Sequence, residues 1–270
     1  MRGELLEIGF GIPFYNDSRI IGKTILALES IDSVLTQNFK IEFLFWDDGS
    51  NEIEGEALEF ALAAASSLAG KYSVVRTKSN YGYGYANDGI IKYFGNKDFC
   101  VVLDSELSMT QSNILEMIEC YSRLIKDSQK SILGDGMIIK ASRFSTKNGL
   151  EDLTGSRRYW TQIGNLFARI TIGGVEDPTN GFRGLDRIAM KVLRECNNYE
   201  YGFASIVEEM YLARIQGINL VNSKQEYVSR KADSRPTTFV YMPRVLWKYI
   251  RICLLTLIYR LTGLVPRMYR

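Results

Sequence analysis

The sequence predicts an α/β fold with a mostly parallel central sheet and flanking helices, and three observations predict it. Short apolar, β-branched or aromatic runs recur at intervals of roughly 25–35 residues, the spacing of strand–helix–strand units. The segments between them carry helical periodicity. Several runs end in acidic or turn residues, as strands buried on both faces do.

The first such run is Leu6 to Phe14, followed by a helical pattern from Ile20 to Leu35. Ile41 to Trp46 and Tyr72 to Arg76 are the next two strands, separated by a helix from Ile53 to Leu68. A helix from Tyr85 to Phe94 leads to a fourth strand, Phe99 to Leu103. Beyond it the pattern predicts a helix over Ser112 to Lys126 and a strand over Ser131 to Ala141. The second half is less regular: a helix from Arg158 to Ile172, a turn through Asp177-Pro178-Thr179-Asn180-Gly181, helices near Asp186 to Cys196 and Phe203 to Gln216, and a last strand from Ile218 to Val228. No internal repeat or low-complexity linker interrupts this order. The division expected is a catalytic domain over 1–242 and a basic, apolar helical segment over 243–270.

Composition narrows the chemistry. The net charge of +2 does not describe a polyelectrolyte binder of nucleic acid. Four cysteines (Cys100, Cys120, Cys196 and Cys253) have no paired spacing, which argues against a disulfide framework or zinc site and suits a reducing cytosol. With no histidine in the chain, Ser-His-Asp chemistry and His-ligated metals are excluded. Catalysis must rest on carboxylates, cations, backbone amides or a hard metal. Met1 to Glu7 lacks the charged and apolar regions of a signal peptide. The longest apolar run, Ile252 to Tyr259, is far shorter than the ~20 residues of a spanning helix.

The unusual residues stand where strands end. The first strand exits into Pro13-Phe14-Tyr15-Asn16-Asp17, the second into Asp47-Asp48-Gly49-Ser50 and the fourth into Asp104-Ser105-Glu106. In an open parallel sheet, ligands bind beyond the carboxyl ends of the strands. Any one of these clusters alone reads as a turn or helix cap. Three acidic exits on one rim repel one another unless they share a cation or donors, and a hard divalent ion bridging to a substrate diphosphate meets that need. The glycines of Asn80-Tyr81-Gly82-Tyr83-Gly84 do not complete G-x-G-x-x-G, and no P-loop signature occurs.

These residues resemble family 2 of the inverting GT-A glycosyltransferases. Ile12 to Asp17 is similar to its Pro-x-Tyr-Asn element, Asp47-Asp48-Gly49-Ser50 to its Asp-Asp-Gly-Ser nucleotide-base element, and Asn80 to Gly89 to its Asn-x-Gly helix start. Asp104-Ser105-Glu106 stands where the family's Asp-x-Asp metal motif belongs, with Glu one methylene longer in the last place. The resemblance implies donor binding by Pro13, Tyr15, Asp17, Asp47, Asp48, Lys78, Asn80, Gly82, Asp104 and Ser105, with Mg2+ or Mn2+ on Asp104 and Glu106.

The second half resembles the polyprenyl-phosphate branch, the dolichol-phosphate mannose synthase-like enzymes. Ala141-Ser142-Arg143 is similar to its Gly-Ser-Arg strand end, and Asp177-Pro178-Thr179-Asn180-Gly181-Phe182-Arg183 to its Asp-x-Thr-Ser-Gly-Phe-Arg element. Arg157 and Arg158 lie on a helix like that branch's arginine-bearing one. Arg230 to Arg235 is similar to its Arg-x-x-Gly-x-Ser-Lys loop, but one residue short and without the glycine. The implied acceptor is a polyprenyl phosphate, flanked by Arg143, Arg157, Arg158, Arg183, Arg230 and Arg235. That nucleophile is already anionic and needs no strong base. A hydroxyl acceptor on a lipid-linked or surface glycan would need a carboxylate, with Asp177, Glu208 and Glu209 as candidates; the latter two could equally be a solvated helix face.

Arg244 to Arg251 and the apolar run after it suit a helix lying in a lipid interface, which would place the enzyme in the cytoplasm at the inner face of the membrane. The competing reading docks that helix on protein. A non-catalytic sugar-nucleotide-binding adaptor is the alternative of another class. A nucleotidyltransferase would carry a Gly-rich cationic loop after the first strand, which Asn16-Asp17-Ser18-Arg19 does not resemble.

Overall fold

The computed structural model describes residues 5–106, 109–128, 136–145, 155–196, 202, 204–224, 242–265 and 269, with side chains except at 155–158, 160 and 242–245. Seven strands form one sheet: β1 (Leu6–Phe14), β2 (Phe39–Asp47), β3 (Tyr72–Arg76), β4 (Phe99–Val102), β5 (Met137–Ser142), β6 (Arg183–Asp186) and β7 (Asn219–Lys224). Their spatial order is β3-β2-β1-β4-β6-β5-β7. Among the described residues, eight helices flank it: α1 (Ser18–Leu35), α2 (Glu52–Ala64), α3 (Tyr83–Tyr93), α4 (Gln111–Ser128), α5 (Gly155–Ile172), α6 (Arg187–Glu195), α7 (Ser205–Ile215) and α8 (Met242–Thr262).

The sheet is buried on both faces, as near-continuous apolar strands require. Phe10, Phe43, Phe45 and Phe99 pack with α1, α2 and α4 on one face. Leu44, Val102, Ile138 and Leu185 pack with α3 and α5 to α8 on the other. Strand β1 shows how period 2 sorts side chains between the faces. Ile8, Phe10 and Ile12 join the first core, while Gly9 and Gly11 admit α3 so closely that an added Cβ would lie 2.5 Å from Phe94 and 2.1 Å from Ile90.

Two expectations need correction. The predicted helix Ile53 to Leu68 ends at Ala64, and a separate 3-10 turn covers Ser66–Leu68. Ser67 Oγ donates to Glu29 instead of continuing the helix. The second concerns β6, a strand not expected between the turn ending at Gly181 and the helix near Asp186. It runs antiparallel to both β4 and β5, wedged between them. Its last residue, Asp186, caps α6 by accepting from Ala189 N at 2.7 Å, so strand and helix share one residue. The expected strands beginning at Ser131 and ending at Val228 extend at those ends outside the described residues; β5 and β7 are their described parts.

The register aligns the exits of β1 and β2, Phe14 beside Asp47. Because β6 is reversed, its first residue Arg183 lies opposite Val102, at the end where β4 finishes. The 177–183 turn is thereby delivered to the same rim as the acidic exits.

Candidate active site

At the exit of β1, Asn16 adopts a left-handed conformation, φ 48°, which Asn tolerates better than most residues. Its N–H donates to Ser50 Oγ at 2.8 Å and its side-chain oxygen accepts from Asn51 N at 2.9 Å, lacing the β1 and β2 exits together. Asp17 occupies the N-cap position of α1 but makes no side-chain cap bond there. Its carboxylate accepts from Ser105 Oγ at 2.7 Å, joining the β1 exit to the β4 exit. The Asp17 capping reading is thus replaced by a cross-strand contact. Tyr15 is 44% exposed at this edge.

Asp47 and Asp48 divide their work. Fully buried Asp47 accepts from Arg76 Nε at 2.7 Å and from Ser50 N at 2.9 Å. Asp48 accepts from Tyr81 N at 3.1 Å and Gly82 N at 2.7 Å. It therefore seats the start of α3, where Gly82 takes φ 105°. Lys78 and Asn80 are exposed on the loop just before it.

Asp104 and Glu106 are half-buried beyond β4. Tyr83, at the first turn of α3, donates its hydroxyl to Asp104 Oδ1 at 3.3 Å. Burial, then the Asp104 charge, push the Tyr83 phenol well above its ordinary range, so it stays a donor. Gly181 closes on the same pair: an added Cβ would lie 2.8 Å from Asp104 Oδ1 and 2.6 Å from Tyr83 Oη.

Among the described residues no group of three or more His, Cys, Asp or Glu could hold a metal by itself. Asp104 and Glu106 supply two hard carboxylates, and the carboxylate at Asp104 sits in a cradle only glycine leaves open. One or two carboxylates completed by substrate phosphate and water is the habit of Mg2+, and oxygen donors also suit Mn2+, so the donor set fits such an ion.

The 177–183 turn carries a second charged layer. Asp177, fully buried, takes Arg143 Nε at 2.7 Å and Nη2 at 3.0 Å in a forked pair, with Thr179 bonded to both partners. Burial alone would raise the Asp177 carboxyl, but Arg143, Thr179 and Lys140 hold it below the usual carboxylate value. Arg183, also buried, forms a second forked pair with Glu209 at 2.5 and 2.7 Å. Burial works against its charge, and Glu209 more than restores it. Glu208 accepts from Tyr269 Oη at 2.5 Å. Both glutamates are buried, so the solvated-face reading of this pair is corrected. Over residues 206–213 α7 has no solvated face at all, since every one of them is buried.

Sequence reasoning missed Lys140, Tyr83 and Asn180. Lys140 interrupts the apolar run of β5, and that interruption was the available signal. It is fully buried, and its Nζ donates to the Asn180 carbonyl. Burial first, then Arg183 and Arg143, push its ammonium down to about 7 against the pull of Glu209 and Asp177. Arg157 and Arg158 lie on α5, but their side chains, like the whole of Arg230 and Arg235, are outside the described residues.

Helices α5 and α8 flank the Arg143–Asp177 pair. Asn165 of α5 donates to the Glu176 carbonyl, and Tyr249 of α8 donates to the Gly164 carbonyl, both at 2.8 Å. Each helix buries one side and exposes an apolar stripe on the other. On α5 these are Tyr159, Ile163, Leu166 and Ile170; on α8 they are Trp247, Leu254, Ile258 and Leu261. The spacing of three or four places each set on one face. The two helices hold seven of the chain's 33 basic residues and none of its 31 acidic ones. Among the described residues no helix is long and apolar enough to cross a membrane.

No curated protein matches the sequence. Solved structures do. Glucosyl-3-phosphoglycerate synthase from Mycobacterium tuberculosis, in complex with Mn2+, uridine diphosphate and glucosyl-3-phosphoglycerate, is 15% identical with a TM-score of 0.54, over 97% of this chain and 82% of that one. The same enzyme has been solved with Mg2+ and uridine diphosphate. Mannosyl-3-phosphoglycerate synthase from Rubrobacter xylanophilus is 14% identical with a TM-score of 0.60, over 98% of this chain and 77% of that one. At such identities the likeness establishes the fold, the GT-A arrangement of a mostly parallel sheet and flanking helices. The sequence profile of the family described as Glycosyl transferase family 2 matches residues 10–177, well over half the chain, from β1 through the acidic exits to Asp177. The protein therefore belongs to glycosyl transferase family 2 and is a glycosyltransferase.

Proposed function

We propose that this enzyme transfers a sugar, with inversion, from a nucleotide-diphosphate donor to the phosphate of a polyprenyl lipid at a membrane surface. The observation that carries the reading is the pair of exposed apolar stripes on α5 and α8, two helices that carry basic residues and no acidic one, beside the Arg143–Asp177 pair. Such helices are complementary to an anionic lipid interface.

Asp104 and Glu106 hold Mg2+ or Mn2+, which when bound neutralises the leaving diphosphate. The nucleoside lies over Pro13, Tyr15, Asp17 and Ser105, with Lys78, Asn80 and Gly82 along its phosphate side. Asp48 supports that side by fixing the Tyr81 and Gly82 backbone, and Asp47 supports it through Arg76. Arg143, with Arg157, Arg158, Arg230 and Arg235 as the further cations, supplies the cationic surround of the acceptor phosphate, whereas Arg183, buried and bonded to Glu209 and to the Gly181 carbonyl, supports the turn instead of meeting that phosphate. A phosphate oxygen attacks the anomeric carbon from the side opposite the donor diphosphate. The anomeric C–O bond breaks, and the nucleoside diphosphate leaves with the electron pair. No proton has to be removed. That suits a site in which Asp177, Glu208 and Glu209 are each hydrogen-bonded to Arg143, Tyr269 and Arg183, and so are poor general bases.

A second reading, transfer to the hydroxyl of a small phosphorylated acid, is favoured by the M. tuberculosis neighbour, whose structure holds UDP-glucose and phosphoglyceric acid. The test is a donor screen with purified enzyme, Mn2+ and, in parallel, a short-chain polyprenyl phosphate and 3-phosphoglycerate. A glycosyl lipid, abolished by chelation and reduced at least 100-fold by Asp104→Ala, is the expected result. Product on phosphoglycerate alone moves the second reading ahead. Donor binding without either product points to a glycan hydroxyl. Biological activity untouched by Asp104→Ala would leave the adaptor reading.

A further inference from the structure

Lys140 stands at a position of β5 where an apolar side chain would satisfy the sheet. Its neighbours Ile138, Ile139 and Ala141 are fully buried, and so is Lys140 itself. Directly across the ladder is another buried cation, Arg183. Two like charges opposed on adjacent strands are unfavourable, and a desolvated ammonium adds to the cost. A lysine kept there must do something an aliphatic residue cannot.

What it does geometrically is hold a peptide. Its Nζ donates to the carbonyl of Asn180, the residue immediately before Gly181. The side chain of Asn180 reinforces the same hold by donating to the Ala141 carbonyl at 2.9 Å and accepting from Phe182 N at 3.2 Å. On the other side of Gly181, its carbonyl accepts from Arg183 Nη1 at 2.8 Å. Gly181 is therefore pinned at both of its peptides, in a place where an added Cβ would lie 2.8 Å from the Asp104 carboxylate and 2.6 Å from the Tyr83 hydroxyl. Tyr83 donates to the same carboxylate oxygen that Gly181 approaches, so the seat of that carboxylate depends on the position of the turn.

We propose that Lys140 is a positioning residue for Asp104: by anchoring Asn180 it fixes Gly181 against the carboxylate and so sets the orientation in which Asp104 meets a divalent cation. The inference rests on Asp104 being a metal ligand, as proposed above. It touches neither nucleotide nor acceptor, so its effect is confined to metal-dependent binding.

The experiment is calorimetric titration of the wild-type protein, Lys140→Met and Gly181→Ala with UDP and with GDP, each with Mn2+ and again with EDTA. Lys140→Met preserves side-chain volume and removes the donor. For whichever nucleotide the wild type binds, it is expected to weaken Mn2+-dependent binding at least tenfold and to leave binding in EDTA unchanged. Gly181→Ala, which disturbs the same contact from the other side with Lys140 intact, is expected to show the same selective loss. Lys140→Leu, which has no donor, is expected to give the same loss and replaces Lys140→Met if that variant does not fold. Equal Mn2+-dependent affinity in the wild type and a folded Lys140 variant overturns the proposal, whatever happens to thermal stability. A wild type whose nucleotide binding is indifferent to Mn2+ overturns the metal reading instead, so the two failures are distinguishable.

Discussion

Arg143 and Asp177 show how a charge close to the reaction can also be a structural commitment. The pair is forked, Asp177 is fully buried, and Thr179 completes its bonding. Asp177→Asn removes the charge but not the shape and leaves the guanidinium without a counter-ion. Breaking a buried pair in this way costs about 3 kcal/mol, to be read from urea unfolding near neutral pH. The sign with pH follows from the lowered folded-state value of Asp177. Its contribution is present above the unfolded carboxyl pKa and is lost as pH falls through the folded one, so the gap between wild type and variant closes in acid. Lys140 has the opposite signature. Its ammonium, lowered to about 7 in the folded state by burial and then by Arg183 and Arg143, opposes folding in acid, and that opposition fades as pH rises from about 7 toward the unfolded lysine value. Relative to wild type, Lys140→Met should therefore be most stabilised, or least destabilised, below pH 7. Melting temperatures measured from pH 6 to pH 9.5 check this.

At the scale of elements, the junction between the β2 exit and α3 is the most exacting local structure. Asp48 accepts both N–H groups that precede the helix, and Gly82 turns the chain at φ 105° and ψ 162°, a region almost reserved for glycine. Gly82→Ala should cost on the order of 1–3 kcal/mol and weaken donor binding, measured by denaturation and nucleotide titration. The glycine was legible as part of a motif, yet its mechanical role depends on Asp48, which is distant in sequence. The same holds elsewhere. Strands β1 to β4 and their helices were readable because each carries its own periodicity, and β1, β2 and β4 also end in acidic exits. Strand β6 was not, because four residues are too few to display a period and its identity comes only from being wedged between β4 and β5. The pairing of Arg183 with Glu209 and of Glu208 with Tyr269 was hidden for a related reason. A buried carboxylate and a solvated one look alike in sequence until the element that covers them is placed.

For the whole molecule, charge is distributed more tellingly than its total. A net +2 suggests nothing, but α5 and α8 carry seven basic residues and no acidic one around exposed apolar stripes. If this face meets lipid, binding to vesicles containing anionic phospholipid should exceed binding to neutral ones and fall with added salt. Leu166→Glu and Trp247→Glu, both at exposed positions, should each reduce vesicle co-sedimentation several-fold while melting within a few degrees of wild type. Unchanged co-sedimentation would separate the face from the membrane.

The reversed direction of β6 limits how the enzyme can open and close. A turn that enters the sheet at the rim, with Arg183 pinned below it and Arg143 clasping its start, has no slack with which to swing. On the donor-binding reading proposed above, the spent nucleotide is expected to leave across Tyr15, Lys78 and Tyr81, which are exposed.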